Sequence, residues 1–325
     1  RLPIDQIYTI QETKTLENYV LNQDIKTVIL KQDQITDITF TNEKIKGYIE
    51  ISKASFNDNE LTGYAKGTLL EGAIFEVYDE GNNLVDTITT DTTGKGISRL
   101  LEYGEYYIKE KDTGSDYYLL NTNKYDVQIR ENMKKVSVTI ENESVKIGLD
   151  IDKKGIIQSQ ANDEIKYSFN ILKNTSNTYL DNFTWEDNLP YQYIKIVKLF
   201  TGTYNQDLDY IVKYKTNKSD NYIVYGKYNT KKNNYIDFTK IVLSEDEYIT
   251  DYKIEFGTVM PNFEAIEKPF IFTKVLETVN ENDKWTNYTK LTGNYLEHKL
   301  EDKAEWTTIS YYKELKIKKL PKTGF

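Results

Sequence analysis

The sequence predicts an all-β protein made of tandem antiparallel sandwiches followed by a larger β-sandwich. Three observations favour this fold class. The 325 residues are 38% hydrophobic and 13% aromatic, with 28 tyrosines, a composition that suits half-buried strands. Apolar and polar side chains alternate over short segments, and no long segment keeps an apolar period of 3.6 residues. A pattern of about 100 residues also recurs near the N-terminus.

The repeat is visible in three ordered pairs of segments. Residues 8–12 (YTIQE) match residues 106–110 (YYIKE), which lie 98 positions later. Two further pairs follow at nearly the same spacing: residues 19–22 with 118–121, offset by 99, and residues 38–42 with 138–142, offset by 100. We therefore interpret residues 1–46 as the C-terminal part of a truncated repeat and residues 47–146 as a complete one.

Within the complete repeat, the strand signal is strict alternation. Ile49, Ile51 and Lys53 share one face of the first predicted strand. Turn-forming residues separate the strands at positions 80–83 (EGNN) and 92–96 (TTGKG). Short strands at this spacing are typical of an antiparallel sandwich of about 100 residues.

After residue 147 the pattern changes, and no further copy of the repeat is found. Strong strand signals occur at residues 165–171, 193–197 and 252–256. We predict one larger β-sandwich over residues 147–315. A Lys-rich linker and a terminal motif then occupy residues 316–325.

Composition argues against several classes of function. A net charge of −9 is a poor match for nucleic acid, because phosphate binding needs clustered Lys and Arg. With one His and no Cys, the chain offers no Ser-His-Asp triad, no Cys nucleophile and no recognisable zinc site. We therefore expect no nucleic-acid partner, no metal and no cofactor. No apolar run reaches the roughly 18 to 20 residues of a membrane span.

The C-terminal segment contains a sorting motif of the form Leu-Pro-any-Thr-Gly, written here as Leu320-Pro321-Lys322-Thr323-Gly324. Pro fixes the backbone and biases the preceding residue away from helix, which suits an exposed, extended peptide. A sortase cysteine would attack the carbonyl of Thr323 and release Gly324. The motif predicts a secreted protein joined to the Gram-positive cell wall, with sortase and peptidoglycan as partners. An apolar span and a basic tail are expected to follow.

Three polar residues of the complete repeat, Lys53, Glu110 and Asn142, continue the apolar faces of their strands. The period of two therefore predicts that all three point into the core. In an apolar site the Lys amine tends to lose its proton and the Glu to keep one. Neutral Lys53 could then attack the side-chain carbonyl of Asn142 while Glu110 polarises it. Ammonia would leave, and an isopeptide bond would join the first and last strands. The alternative is three ordinary polar residues at strand ends.

These positions closely resemble the prealbumin-like B-type repeats of collagen adhesins and SpaA-type pilins. The resemblance covers residues 1–146 and implies immunoglobulin-like or prealbumin-like sandwiches with self-formed Lys–Asn bonds and a catalytic Glu. Glu12 and Asn42 are similar to the tail of another such repeat. Its lysine would lie upstream of Arg1, so no bond is expected there.

The larger domain contains a parallel set, Lys153, Asp187 and Asn287. It resembles isopeptide-forming surface domains that use Asp as the acid, with an Asp-x-Leu-Pro motif at residues 187–190. Lys154 is a second candidate for the reactive lysine. The alternation of residues 149, 151 and 153 along the strand favours Lys153. The two tryptophans that precede Asp187 and Asn287 by two positions are expected to form a dry wall. We predict that a Lys153–Asn287 bond joins the first and last strands of this domain.

Together these features predict a wall-anchored structural protein, either an adhesin stalk or a minor pilin, without enzymatic activity beyond its own bond formation. Two alternatives stay open. The chain could be the stalk of a surface enzyme whose catalytic domain lies upstream. It could also be a backbone pilin, although none of the five Pro residues supplies a Tyr-Pro-Lys motif. Binding of a host or matrix ligand is expected only from domains N-terminal to this chain.

Overall fold

The computed structural model describes residues 2–311, and the regular structure in this range is almost entirely β-strand. The predicted all-β fold class is confirmed. The chain divides into two compact units, Arg1–Val145 and Lys146–Phe325. The predicted domain boundaries within and beyond these units stay predictions, and the sorting motif lies outside the described residues. Between residues 2 and 311, no helix is long and apolar enough to cross a membrane.

The first unit contains ten strands in its described part. They are β1 (Ile7–Gln11), β2 (Ile25–Ile29), β3 (Lys46–Ser55), β4 (Ile74–Asp79), β5 (Leu84–Thr89), β6 (Lys95–Ile97), β7 (Leu101–Glu102), β8 (Gly104–Asp112), β9 (Tyr125–Ile129) and β10 (Lys135–Asn142). β1 and β2 pair only with each other, and the remaining strands lie between residues 46 and 142.

Strands β3 to β10 form two sheets around one apolar core. One sheet has the order β10-β3-β6, with β7 also paired to β3, and the other has the order β5-β4-β8-β9. β3 and β10 run parallel, with Ile140 opposite Lys53, so the first and last strands of the repeat are neighbours. The core includes Ile49, Ile51, Phe75 and Ile108.

The second unit contains fifteen strands and one short 3₁₀ helix in its described part. They are β11 (Leu149–Ile151), β12 (Gln158–Ser159), β13 (Glu164–Ser168), β14 (Leu172–Asn174), β15 (Leu180–Asn188), β16 (Ile194–Phe200), β17 (Thr203–Tyr204), β18 (Asp209–Thr216), β19 (Ser219–Asn229), β20 (Tyr235–Asp237), the 3₁₀ helix Phe238–Lys240, β21 (Ile249–Val259), β22 (Ala265–Glu267), β23 (Phe270–Val275), β24 (Lys284–Tyr295) and β25 (His298–Ser310).

Two sheets dominate the second unit. A seven-stranded sheet has the order β12-β25-β24-β15-β21-β18-β19, and a four-stranded sheet has the order β13-β23-β16-β20. Aromatic side chains connect the two: Trp285 of the large sheet stacks on Tyr193 and lies close to Tyr167 of the small one. Phe183, Trp185 and Tyr252 of the large sheet are fully buried, and aromatic side chains of this size contribute large apolar areas to a core.

Candidate isopeptide-forming sites

Lys53 lies in the core of the first unit because the alternation of β3 places it there. Its strand is buried at every second position, and Ile49, Ile51 and Lys53 are all fully buried. β3 is also the central strand of its sheet, between β10 and β6. A lysine in this position has no path to solvent, so its amine must find a partner inside the protein.

Glu110 is the partner of the Lys53 amine, and Asn142 is hydrogen-bonded to Glu110. The Lys53 Nζ lies 2.9 Å from Glu110 Oε1, and both side chains are fully buried. Asn142 Nδ2 donates to both carboxyl oxygens of Glu110, at 3.0 and 2.8 Å. Asn142 and Lys53 share one face of the β3–β10 pair, while Glu110 on β8 reaches in from the facing sheet. The structure thus brings together the three residues that the sequence singled out.

Burial lowers the pKa of Lys53, because an apolar site penalises the ammonium form, and the nearby Glu110 partly opposes this shift. The ring of Phe75 forms part of the wall, with its centre 5.9 Å from the Lys53 Nζ. The carboxyl group of Glu110 is also held by the backbone, because the N–H of Asn121 donates to Glu110 Oε2 at 2.7 Å. Neither Phe75 nor Asn121 was among the predicted site residues, although burial alternates along the strand that carries Phe75.

The second cluster lies in the second unit. Lys153 follows β11, is buried, and donates to Asp187 Oδ2 at 2.5 Å and to the backbone carbonyl of Tyr288 at 3.4 Å. Lys154 is exposed, and its backbone forms a bridge with Ser168. The phase of β11 therefore distinguishes the two lysines as the sequence indicated: only Lys153 faces the interior.

The pKa values of the lysine and the carboxyl group in the second cluster are both shifted from their ordinary values. Burial lowers the pKa of Lys153 from 10.5 to about 8, opposed by the neighbouring Asp187. Burial also raises the pKa of Asp187, and here Lys153 opposes the shift. Both directions favour the neutral pair of amine and carboxylic acid over the ion pair, which differs from it only in the position of one proton.

Asn287 completes the second cluster. It is fully buried on β24, on the same face as Thr289, which lies opposite Asp187 across the β15–β24 pair. Its amide is close enough to Asp187 to lower the pKa of that carboxyl. Among the described residues, however, neither polar atom of the Asn287 amide has a hydrogen-bond partner with good geometry. A buried amide left in this state is costly, so the site is poorly explained as a purely structural polar network.

One detail of the prediction is wrong. Lys153 and Asn287 were expected to join the first and last strands of the larger domain. Asn287 lies on β24, and β25 follows it, paired with β24 over its whole length. The sequence pattern Trp-x-Asn identified Asn287 as a buried position. It could not show that β25 folds back on β24 as a hairpin.

Two rings that the sequence analysis did not assign to the site flank the Lys153 amine. The ring centres of Tyr167 and Phe169 lie 5.4 and 5.2 Å from the Lys153 Nζ. The two predicted tryptophans form a second layer: Trp185 packs edge-on against Phe169 at 4.5 Å, and Trp285 lies 3.4 Å from the Tyr167 hydroxyl. The apolar alternation of residues 165–171 was the available signal for the inner layer.

The truncated repeat holds a partial version of the same arrangement. Asn42 Nδ2 donates to Glu12 Oε1 at 2.8 Å, and both residues are half-buried. No lysine occupies the position equivalent to Lys53 in residues 2–46. Over residues 2–311, no group of three or more His, Asp or Glu side chains could hold a metal ion.

Comparisons with known proteins match parts of this chain. Residues 51–144 match the family model described as SpaA, a prealbumin-like fold domain. Over 60 residues the chain is 45% identical to the trypsin-resistant surface T6 protein of Streptococcus pyogenes serotype M6, a match that covers 18% of this chain and 11% of that protein. The chain thus spans only a small part of this relative.

Matches among solved structures include the Bacillus anthracis TIE protein, with 19% identity over 95% of this chain and 42% of that chain, and a TM-score of 0.38. Another is GBS52, a minor pilin of Streptococcus agalactiae, with 23% identity over 45% of this chain and 63% of that chain, and a TM-score of 0.27.

Proposed function

Starting from the SpaA-type prealbumin-like domain of residues 51–144, we propose that the chain is the stalk of a cell-surface protein whose two units are braced by self-formed Lys–Asn isopeptide bonds. The observation that carries this proposal is the pair of buried Lys–carboxyl–Asn clusters, each enclosed by apolar and aromatic side chains. The bonds proposed are Lys53–Asn142 and Lys153–Asn287.

The chemistry needs a neutral amine and a proton donor. The lone pair of the Lys Nζ attacks the Asn Cγ, and the carboxylic acid of Glu110 or Asp187 donates a hydrogen bond that polarises the amide. One proton of the amine passes by way of the carboxyl to the departing nitrogen. The Cγ–Nδ2 bond breaks and ammonia leaves. The carboxyl group of Glu110 or Asp187 ends in the same protonation state in which it began. No oxidant or cofactor is required.

The energetics of burial support a reactive role over a purely structural one. A buried ion pair pays a desolvation penalty that often cancels its Coulomb attraction, so it contributes little stability compared with apolar residues of the same size. A covalent link behaves differently, because it restricts the unfolded chain. By analogy with a disulfide, tying residues about 90 positions apart is worth on the order of 4 kcal/mol.

A stalk function accounts for the remaining features. Lys53 and Asn142 lie on neighbouring parallel strands near the two ends of their domain sequence, so a bond between them would carry tension past the core. The relative in Streptococcus pyogenes is named as a trypsin-resistant surface protein, and an internally cross-linked sandwich would resist proteases. We propose a secreted location on the Gram-positive cell wall, as an adhesin stalk or minor pilin. Sortase would attach it to peptidoglycan through Thr323.

Intact-mass spectrometry tests the bonds. The protein is expected to weigh less than its sequence by two ammonia molecules. Glu110→Ala and Asp187→Ala should each restore one ammonia, because each removes the acid of one cluster. Glu141→Ala and Glu186→Ala are the matched controls, since these carboxylates lie beside the clusters but outside them, and both should keep the full deficit. A wild-type mass equal to that of the sequence would refute the proposal.

A further inference from the structure

The segment that carries Lys153 is held along β25, a strand that contains none of the three residues of the second cluster. The backbone N–H of Ile151 donates to Asp302 Oδ2 at 2.9 Å. On the other side of the lysine, the carbonyl of Ile156 accepts from Trp306 Nε1 at 3.0 Å. Lys153 therefore lies between two points at which its segment is tied to β25.

Further hydrogen bonds extend this attachment towards the end of β25. Thr308 Oγ1 donates to the carbonyl of Ile156 at 2.8 Å, and the backbone N–H of Ile309 donates to the carbonyl of Ile157 at 2.9 Å. β12 then pairs with β25 in a short parallel ladder. The lysine segment therefore runs beside β25 from the middle of that strand to its end.

Asp302 serves a backbone group on the free edge of the lysine segment. The N–H groups of Asp152 and Lys154 donate to a neighbouring segment on the other edge, at 3.1 and 2.9 Å. Because N–H groups alternate between the two edges of an extended strand, that of Ile151 points the opposite way. Asp302 is half-buried, between exposed neighbours on β25, and its carboxylate turns inward to accept this N–H. An inward-facing carboxylate needs such a donor.

The attachment to β25 matters because the Lys153 amine contacts groups on other strands. Its Nζ donates to Asp187 on β15 and to the backbone carbonyl of Tyr288 on β24, whereas β11 itself pairs with β14. β25 lies next to β24 in the large sheet, so a segment held on β25 places its lysine beside the strand that carries Asn287. A misplacement of 1 Å between reacting groups can cost about 100-fold in rate.

We propose that Asp302 and Trp306 are positioning residues of the second site. They dock the lysine segment on β25 and so bring the Lys153 Nζ within reach of Asn287. This inference rests on the bond chemistry of the proposed function and adds its regulation. Lys153, Asp187 and Asn287 all precede β25 in the chain, so the reacting groups are synthesised before the strand that aligns them. The second bond therefore closes only after β25 has folded onto the sheet.

The test follows bond formation in the full chain from the time of synthesis. The protein is made by cell-free translation, samples are quenched in acid at intervals, and peptide mapping quantifies the branched peptide of each bond. Asp302→Ala should slow the Lys153–Asn287 bond by about tenfold or more, because it removes a hydrogen bond to a charged group. Asp302→Asn should restore most of the rate, since its side-chain carbonyl still accepts the backbone N–H. Trp306→Phe, which lacks the indole N–H, should also slow the bond.

Thr307→Ala is the matched control. Thr307 lies on the other side of β25 from Asp302, and its hydroxyl is hydrogen-bonded to that of Thr286 on β24 at 2.9 Å. The variant therefore removes a hydrogen bond of the same strand without changing the contacts of the lysine segment, and the rate should stay close to that of the wild type. The Lys53–Asn142 bond is the internal reference and should form at its wild-type rate in every variant.

The outcomes separate this inference from the proposed function. A wild-type rate in Asp302→Ala or in Trp306→Phe would overturn the positioning role and leave the braced stalk intact. Equal slowing by Thr307→Ala, or no recovery in Asp302→Asn, would show a general loss of strand stability and would also count against it. If the wild-type chain never yields the branched Lys153–Asn287 peptide, the proposed second bond itself is wrong, and this inference is overturned with it.

Discussion

At the scale of single residues, the alternation of side chains along a strand determines whether a lysine faces the core or solvent. Lys153 and its neighbour Lys154 are adjacent and chemically identical, yet only the first faces the interior. Burial lowers the pKa of the Lys153 amine to about 8, so this amine loses its proton much closer to physiological pH than a surface lysine does. Position along the strand therefore determines which of the two lysines is buried beside the carboxyl group.

This shift makes a prediction about pH for a chain that cannot form the second bond, Asn287→Ala. Because the pKa of Lys153 is about 8 in the folded state and 10.5 ordinarily, the unfolded chain binds more protons between these values. The free energy of unfolding should therefore rise with pH from about 8 towards 10, by up to about 3 kcal/mol. Urea unfolding at a series of pH values measures it.

The control is the same chain with Lys153→Met and Asp187→Asn added, which removes the titrating pair. The buried Tyr204 and Tyr252 have raised pKa values and so reduce stability above pH 10 in both chains. Only the difference between the two chains reports on the pair. Parallel stability curves from pH 7.5 to 9.5 would contradict the assignment.

At the scale of secondary-structure elements, a tight turn supports the strand that presents Lys53. The carbonyl of Gly94 accepts a hydrogen bond from the Lys53 N–H at 2.8 Å. Gly94 has a φ of +66°, and a Cβ there would lie 2.6 Å from the Leu69 Cβ and 2.8 Å from the Leu70 nitrogen. Both the backbone conformation and the lack of space require glycine.

Gly94→Ala should therefore destabilise the first unit more than Gly63→Ala does. Gly63 also has a positive φ, +77°, but a Cβ added there would meet no other atom within 4 Å. Gly63→Ala should lower the free energy of unfolding only by the backbone strain, about 1 to 2 kcal/mol. Gly94→Ala should lower it further, because the added Cβ also clashes with its neighbours. Denaturant unfolding in an Asn142→Ala background compares them. Equal losses would show that the turn is not packed against β3 as described.

At the scale of the whole molecule, the two proposed bonds divide the chain into tied and untied segments. The loops between Lys53 and Asn142 and between Lys153 and Asn287 would be closed. Residues 288–295 of β24 and all of β25 would lie outside, because Asn287 is near the start of β24. The final hairpin is then held only by strand pairing and side-chain packing.

Single-molecule stretching from the two ends tests this division. In the linked protein, unfolding from the C-terminal side should stop at Asn287. It should release about 24 residues, residues 288–311, or roughly 80 Å of chain. Asn142→Ala should add about 300 Å and Asn287→Ala about 450 Å of contour length, at about 3.4 Å for each freed residue. Wild-type curves that already contain these long steps would show that the loops are open.

Attachment to the wall is tested through the sorting motif. In the full-length protein, Thr323→Ala should move the protein from the peptidoglycan fraction to the membrane or the medium, because the sortase acyl intermediate forms at this residue. Lys322→Ala is the matched control, since the motif accepts any residue there. Unchanged covalent recovery with peptidoglycan after Thr323→Ala would exclude this route.

The alternation of apolar and polar residues was enough to predict which of the site residues are buried. The period of two in a strand is a local property, so residues such as Lys53, Glu110 and Asn142 could be assigned to inward faces without knowing their neighbours. The same reasoning chose Lys153 over Lys154. The internal repeat, also a property of the sequence alone, identified Glu12 and Asn42 as a second pair.

Which buried groups contact each other could be read only from the folded protein. The parallel pairing of β3 with β10, the rings of Tyr167 and Phe169 beside Lys153, and the place of Asn287 on the penultimate strand all depend on contacts between residues far apart in the chain. Strand order and register are fixed by the packing of whole faces against each other, and the period of a single strand carries no information about its partner.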